Sequence, residues 1–430
     1  MYPGRKEQEQ RLRQAFDANR EAALELGRWL HAHPESPGQE VEAAERAAAF
    51  LVERGFEVET GLAGMAAAFQ ARAYHWDDEA MRKGLRHGHI GFLADLGSGP
   101  EGQVRGNHLN VAASVLAATA LATSLPPKLF GTVSVFGTPG PELFGGKLRI
   151  AEAGYFEAAD EVFGIVPALS GEGFPPSIDS SGKTLAQARV TVRYPDGNEQ
   201  LLSELHAAVA DLLDGLQPDE RIWATATGFG IEGQQARSAR ALYERIAALA
   251  ETRARSGGAQ VEVELTALAA DMNPNRILAR RAKTFANSHN VPLDRLGKRP
   301  HGPATDWGAV SYSSAVLRWP IPISDEHTTA YDARFAAVSN RADAYERIVP
   351  FAYIMAELAM DVLADLDLRG YAENDFVRGL HERGVNRIHR RWTGVHPVQP
   401  ESPEALRRKM SQPGNMVRGP GLNPDQQRDS

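Results

Sequence analysis

The sequence predicts an α/β protein: a mostly parallel sheet flanked by helices, interrupted by a small inserted α+β unit. Three observations carry that prediction. Through the first 184 residues, short continuous apolar runs alternate with helical patterns, as in parallel sheets covered on both faces. Near residue 184 the strands become alternating, with one exposed face. Past Asn273 the first pattern resumes, so the second is an insertion. The boundaries that follow are 1–184 and 267–368 for the main domain and 185–266 for the insertion. A basic C-terminal extension covers 369–397, and 398–430, rich in Pro, Gln, Gly, Asn and Ser, is a disordered tail.

Residues 8–55 carry helical periodicity, broken at His33-Pro34-Glu35-Ser36-Pro37-Gly38, where two prolines and a glycine force a loop. Residues 56–60 alternate as a strand, with 66–73 as its partner. Residues 90–93 form an apolar run ending in Ala94-Asp95, the signature of a buried central strand. A glycine-rich loop, a long apolar helix over 109–125, a strand over 131–136, a helix starting at 147–153 and a strand over 161–166 follow. The insertion reads strand 185–194, helix 199–216, strand 221–227, helix 238–256 and strand 261–265. The main domain returns with a helix after Asn273-Pro274-Asn275, a loop over 301–306, a strand over 315–317 and a long helix over 341–366.

The chain has 430 residues, 43% of them hydrophobic, enough for two domains with real cores. A net charge of −8 gives no reason to expect nucleic acid or an anionic membrane as partner. No window approaches the roughly 20 apolar residues of a membrane span. The charged N-terminus lacks a signal-peptide apolar core, so a cytoplasmic protein is expected. With no Cys, disulfides, thiol nucleophiles and thiolate ligands are excluded.

The run Gly137-Thr138-Pro139-Gly140-Pro141-Glu142-Leu143-Phe144-Gly145-Gly146-Lys147 joins a strand to a helix. It resembles the GTPAEEGGGGK loop of the zinc-dependent amidohydrolases and peptidases of the aminoacylase and carboxypeptidase kind, in their aminobenzoyl-glutamate hydrolase branch. Four further strings, in the family's order, resemble it too. Trp29-Leu30-His31-Ala32-His33-Pro34-Glu35 is similar to its "IHAHPE" segment and Val58-Glu59-Thr60-Gly61-Leu62-Ala63-Gly64 to its "VETGVAG" turn. Ile90-Gly91-Phe92-Leu93-Ala94 is similar to "IGFLAEYDALP", and Asp306-Trp307-Gly308-Ala309-Val310-Ser311-Tyr312 to "STDVGNVSY". The likeness covers residues 28–366. It implies a zinc-peptidase-like catalytic domain, with the insertion acting as a lid or dimerisation domain.

The functional positions depart from that pattern. The family's loop has a Glu that activates the attacking water, followed by a Glu that binds metal; here these are Pro141 and Glu142. Proline cannot accept a proton, so the general base is missing from its place. The family's metal pair is also held by Cys and His of a "GHACGHN" loop, by a His before Pro, and by a late His. Aligned on the following helix, that Cys becomes Arg105 and that His becomes Asn107; a one-residue shift would put His108 in the ligand's place instead. The His before Pro is Val166, while the late His survives as His327. The lid's "AHA" His, an oxyanion donor in the family, has no counterpart in Arg193-Tyr194-Pro195-Asp196-Gly197-Asn198. The stretch that would supply another edge strand is shortened to 228–237.

A guanidinium stays protonated, so Arg105 would neutralise Glu142 and repel a divalent cation. Glu142 is the candidate catalytic acid or base, with an ion pair to Arg105 as its structural role. Asp95, Arg105, Asn107 and Asp306 are candidate binding residues. No cofactor is expected; the alternative is one weakly held divalent ion, zinc or manganese, on His108, Glu142 and His327. The pairs His31/His33 and His87/His89 read as structural, and the arginine-rich stretch 378–391 as a solvated helix face. The resemblance implies a homologue that has lost dinuclear-zinc hydrolysis and acts as a binding subunit or metal-independent catalyst on an amide-like small molecule. As partner it implies a second copy or an intact paralogue. The alternative is an active amidohydrolase with an altered metal site.

Overall fold

The computed structural model describes residues 5–75, 79, 87–97, 106–125, 131–140, 145–159, 161–168, 186–194, 199–213, 215–218, 220–291, 306–324, 333–385 and 416–417. Helices α1 (Arg5–Ala32) and α2 (Val41–Val52) lead into a hairpin, β1 (Glu57–Thr60) and β2 (Phe69–His75). Then come β3 (Gly88–Asp95), α3 (Asn107–Ser124), β4 (Gly131–Thr138), α4 (Gly146–Glu152) and β5 (Glu161–Ala168). The insertion contains β6 (Ala186–Arg193), α5 (Glu199–Leu213), β7 (Arg221–Thr225), β8 (Gly228–Gly233), α6 (Ala236–Ser256) and β9 (Glu262–Ala269). The chain returns through α7 (Arg276–Ser288), α8 (Trp307–Ser313), β10 (Ala315–Pro322), α9 (Ala333–Ser339), α10 (Ala342–Ala364) and α11 (Leu366–Glu382). A two-residue strand, β11 (Met416–Val417), closes the order.

The main sheet runs β10-β5-β3-β4-β2-β1-β11. β10, β5, β3 and β4 are parallel neighbours, and β2, β1 and β11 continue antiparallel from β4. Every residue of β3 and β4 is buried, as expected of central strands covered on both faces. α3 is buried on nearly all sides because it packs against the sheet, α1 and α10 together. Its alanines let the neighbouring helices approach closely. The parallel strands end together, with Asp95 beside Thr138, so their C-terminal ends form one rim, where α/β folds place their sites.

The insertion forms a four-stranded antiparallel sheet, β7-β8-β6-β9, backed by α5 and α6. The sequence reading of this unit needs correction: the shortened stretch 228–237 contains β8, an interior strand. Likewise, 369–385 is not an extension. α11 buries Ala372, Phe376 and Leu380, and it starts because Asp365 caps the amides of Asp367 and Leu368. Within 398–430, Met416 and Val417 pair with β1. Among the described residues no helix is long and apolar enough to cross a membrane.

Candidate functional site

Three segments meet at the rim where β3 and β4 end. Asp95 is the last residue of β3, Lys147 lies in the first turn of α4, and Asp306 immediately precedes α8. Lys147 is fully buried, and its Nζ lies 2.7 Å from Asp95 Oδ1 and 2.7 Å from Asp306 Oδ2. The first turn of a helix is a poor place for a cation, because the peptide dipoles point their positive end there. Burial also disfavours the ammonium form, yet the Asp306 and Asp95 carboxylates outweigh it and hold the amine's pKa above the ordinary lysine value. Asp306 turns its carboxylate away from the amides of α8 and towards this amine.

Asp95 is held from several sides. Thr138 Oγ1, at the end of β4, donates to its Oδ1 at 2.8 Å, and Trp307 Nε1 donates to its Oδ2 at 3.3 Å. Its own amide donates to Asn110 Oδ1 at 2.6 Å, which ties the strand end to α3. Asn107 Nδ2 donates to the Gly97 carbonyl at 2.5 Å. Asp95 and Asp306, expected to bind a ligand, are thus turned onto Lys147, and Asn107 onto the chain leaving β3. In the sequence Lys147 only opens a helix after two glycines, and nothing local marks it as buried. Acids closing one strand and opening one helix were the available hint that a buried cation stands between them.

His108 points elsewhere. Asn110, two residues further along α3, faces the strand end, so His108 lies on the opposite side of the helix. It is buried against His31 and Tyr345, and its Nε2 donates to the Ser339 carbonyl at 3.0 Å. That bond fixes the proton on Nε2; Nδ1 is buried without a partner. Burial, opposed only by the Ser339 carbonyl, depresses the imidazole pKa to about 3, with His31 adding to the depression. In this structure the expected metal ligand His108 therefore faces the Ser339 carbonyl rather than the rim.

The other histidine pairs serve structure. His31 Nε2 donates to the Ala336 carbonyl at 2.9 Å, and His33 Nδ1 to the Trp29 carbonyl at 2.8 Å. His87 and His89 hydrogen-bond with the hydroxyls of Thr132 and Ser134 on β4, at 3.0 and 2.7 Å. Burial, reinforced by Arg369, pulls His87 down to about 4.

A third carboxyl, unforeseen from sequence, lies under the rim. Glu40 is fully buried, and its Oε1 accepts from the amide of Gly140, the residue before Pro141, at 2.9 Å. Its Oε2 is buried without a partner, and burial raises the carboxyl pKa above the usual glutamate value. Arg105, Pro141, Glu142 and His327 lie outside the described residues. Val166 sits near the end of β5, in register with Pro320 of β10.

Whether the donors suit a pair of metal ions follows from their chemistry. Two rim carboxylates are each bonded to the Lys147 ammonium, the rim position of β5 is a valine, and the imidazole of His108 bonds a carbonyl behind α3. Among the described residues no three His, Asp or Glu side chains converge to hold a metal ion. The described residues alone do not make up a dinuclear site.

No family model matches the chain. The Xaa-Arg dipeptidase of Mus musculus is 32% identical over 137 residues, which cover 30% of this chain and 29% of that protein. A solved aminobenzoyl-glutamate utilization protein from Klebsiella pneumoniae superposes with a TM-score of 0.56 at 14% identity, covering 81% of this chain and 98% of that one. A dinuclear metal-binding peptidase of the M20 family from Bacillus subtilis gives 0.50 at 17% identity, covering 81% and 99%. At these identities the structural likeness is one of fold.

Proposed function

We propose that this chain, which has the fold of the zinc-dependent amidohydrolases and peptidases, binds an amide or acyl-amino-acid-like ligand without running their dinuclear-zinc hydrolysis. The observation that carries the reading is the orientation of His108, the only described histidine read as a ligand for the rim. Its Nε2 is spent on the Ser339 carbonyl, on the side of α3 away from Asp95. The substitutions read from sequence point the same way: Pro141 stands where the base belongs, and Arg105 and Val166 stand where ligands belong. Metal-assisted hydrolysis needs all of these groups at once, because the ions both acidify the water and polarise the carbonyl. Lys147, Asp95 and Asp306 tie three segments of the rim together, which suits a binding site as well as a catalytic one.

A second reading is an altered amidohydrolase with one metal ion, favoured by the retention of Glu142 and His327 in the sequence. The test that separates them assays purified protein, supplied with zinc, cobalt or manganese, on N-acyl amino acids and aminobenzoyl-glutamate. No metal-dependent turnover is expected, and Pro141→Glu alone should not create it. Turnover abolished by chelation, together with near-stoichiometric metal by elemental analysis, would establish the second reading instead.

A further inference from the structure

The insertion rejoins the main domain between β9 and α7, and this returning segment is bonded along its length to α11. Asn273 and Asn275 are both buried. Asn273 Nδ2 donates to the Phe376 carbonyl at 3.2 Å, and Asn275 Nδ2 to the Ala372 carbonyl at 2.7 Å. Two residues of extended chain advance about 6.6 Å and four residues of helix about 6 Å, so alternate side chains match successive helical turns. The segment and the helix run antiparallel in that register. The Arg276 amide adds a bond to Asp375 Oδ2 at 2.6 Å. Gly379 permits the close approach: a Cβ there would lie 1.9 Å from Asn273 Oδ1.

Just past α11, Arg383 fastens the arrangement. Its Nε donates to Asp271 Oδ2 at 2.9 Å, its Nη2 to the Met272 carbonyl at 2.6 Å, and its Nη1 to Asn273 Oδ1 at 3.3 Å. Asp271 Oδ1 accepts from the Tyr312 hydroxyl at 2.6 Å and from the Ala236 amide at 3.0 Å. One buried carboxylate therefore joins α6 of the insertion, α8 of the main domain and the end of α11. A polar cavity of about 170 Å³ opens beside this joint, and its charged lining is paired within itself, Arg378 with Asp375 and Arg276 with Glu382.

We propose that α11 is a strap that clamps the return hinge of the insertion, with Arg383 as its pin, so that the insertion and the main sheet turn as one body. Hinges that allow domain closure are weakly bonded segments that absorb backbone rotation. Here, rotation about 270–276 would break two amide-to-helix bonds and strip the cation from a carboxylate that is 2% exposed. None of these contacts involves the rim or its metal chemistry.

Hydrogen exchange on the full-length protein tests the strap. In the native chain, the amides of 270–273, 275 and 276 should exchange as slowly as those of α3. Fast exchange there, as in an ordinary hinge, would overturn the proposal. Arg383→Ala should speed exchange across 230–276 by about tenfold or more while α3 stays protected. Gly379→Ala wedges the same contact without unpairing a charge and should give the same local pattern. Exchange that is unchanged, or that rises equally in α3 and the insertion, would show that α11 is ordinary packing.

Discussion

Lys147→Met removes the cation between two buried carboxylates. Lys147 is fully buried, and the Asp95 and Asp306 side chains are 8% and 4% exposed, so solvent screening does little to soften the loss. Breaking a buried pair by deleting one partner costs about 3–5 kcal/mol. The variant should lose about that much at pH 7.5. The loss should shrink in acid, with a sign fixed by linkage. In the native chain the lysine pKa is raised, so its contribution is fully present below the unfolded value of about 10.4 and is lost only above it. Between pH 5 and 9 the native cluster should therefore be flat with respect to this lysine. In the variant, both buried carboxylates lose the cation that favours their charged form, so protonation relieves part of the cost. Its stability therefore falls as pH rises through the acid range, by up to about 1.4 kcal/mol per pH unit for each carboxylate that stays protonated in the folded chain. Urea unfolding followed by circular dichroism at pH 4.5, 6 and 7.5 measures both effects, and Lys147→Met/Asp306→Asn should recover part of the loss. A loss under about 1 kcal/mol, no dependence on pH, or a double variant no better than the single one would refute this account.

Two further perturbations use the same measurement. His108→Gln keeps a donor for the Ser339 carbonyl but removes a group whose folded pKa is depressed to about 3. The native chain should lose about 2 kcal/mol between pH 6.5 and 5 from this residue alone, and the variant's acid limb should be flatter by that amount; parallel limbs would contradict it. Glu40→Gln keeps the acceptor for the Gly140 amide while abolishing a carboxyl whose folded pKa is raised. Its native penalty grows as pH rises above about 4.3. The variant should match the native chain near pH 4 and exceed it at pH 7.5, and a variant less stable at neutral pH would contradict the burial of an unpaired carboxylate.

The sheet was legible wherever continuous apolar runs could only be buried strands, as in residues 90–93 and 131–136. β8 was missed because glycine alternates through Gly228-Phe229-Gly230-Ile231-Glu232-Gly233, which lowers strand propensity. Gly230 is there for a packing reason: a Cβ would lie 2.0 Å from the Trp223 indole on β7. α8, seven residues long, is too short for periodicity to declare itself. α11 was hidden because its buried face includes Arg369 and Asp375, which look like solvated residues until their partners are known. Asp95 was visible as a polar residue closing an apolar strand. The direction its carboxylate takes was not, because Lys147 lies beyond α3 and β4 and the other acid across the whole insertion. The ambiguity between Asn107 and His108 was one of helical phase, which only the packing of α3 against α1 and the sheet resolves.

The order in which the chain leaves the ribosome meets an awkward interval because of where β10 lies. β5 has one flank against β3, and its other flank waits for a strand that emerges only after the entire insertion has been made. Until then a half-built sheet presents an open, apolar margin, the kind of edge that recruits other nascent chains. Asp306 arrives with the same late segment, so the lysine's second counter-charge is also delayed. Rapid, self-contained folding of the insertion would shorten that exposure by bringing the two halves within reach of each other.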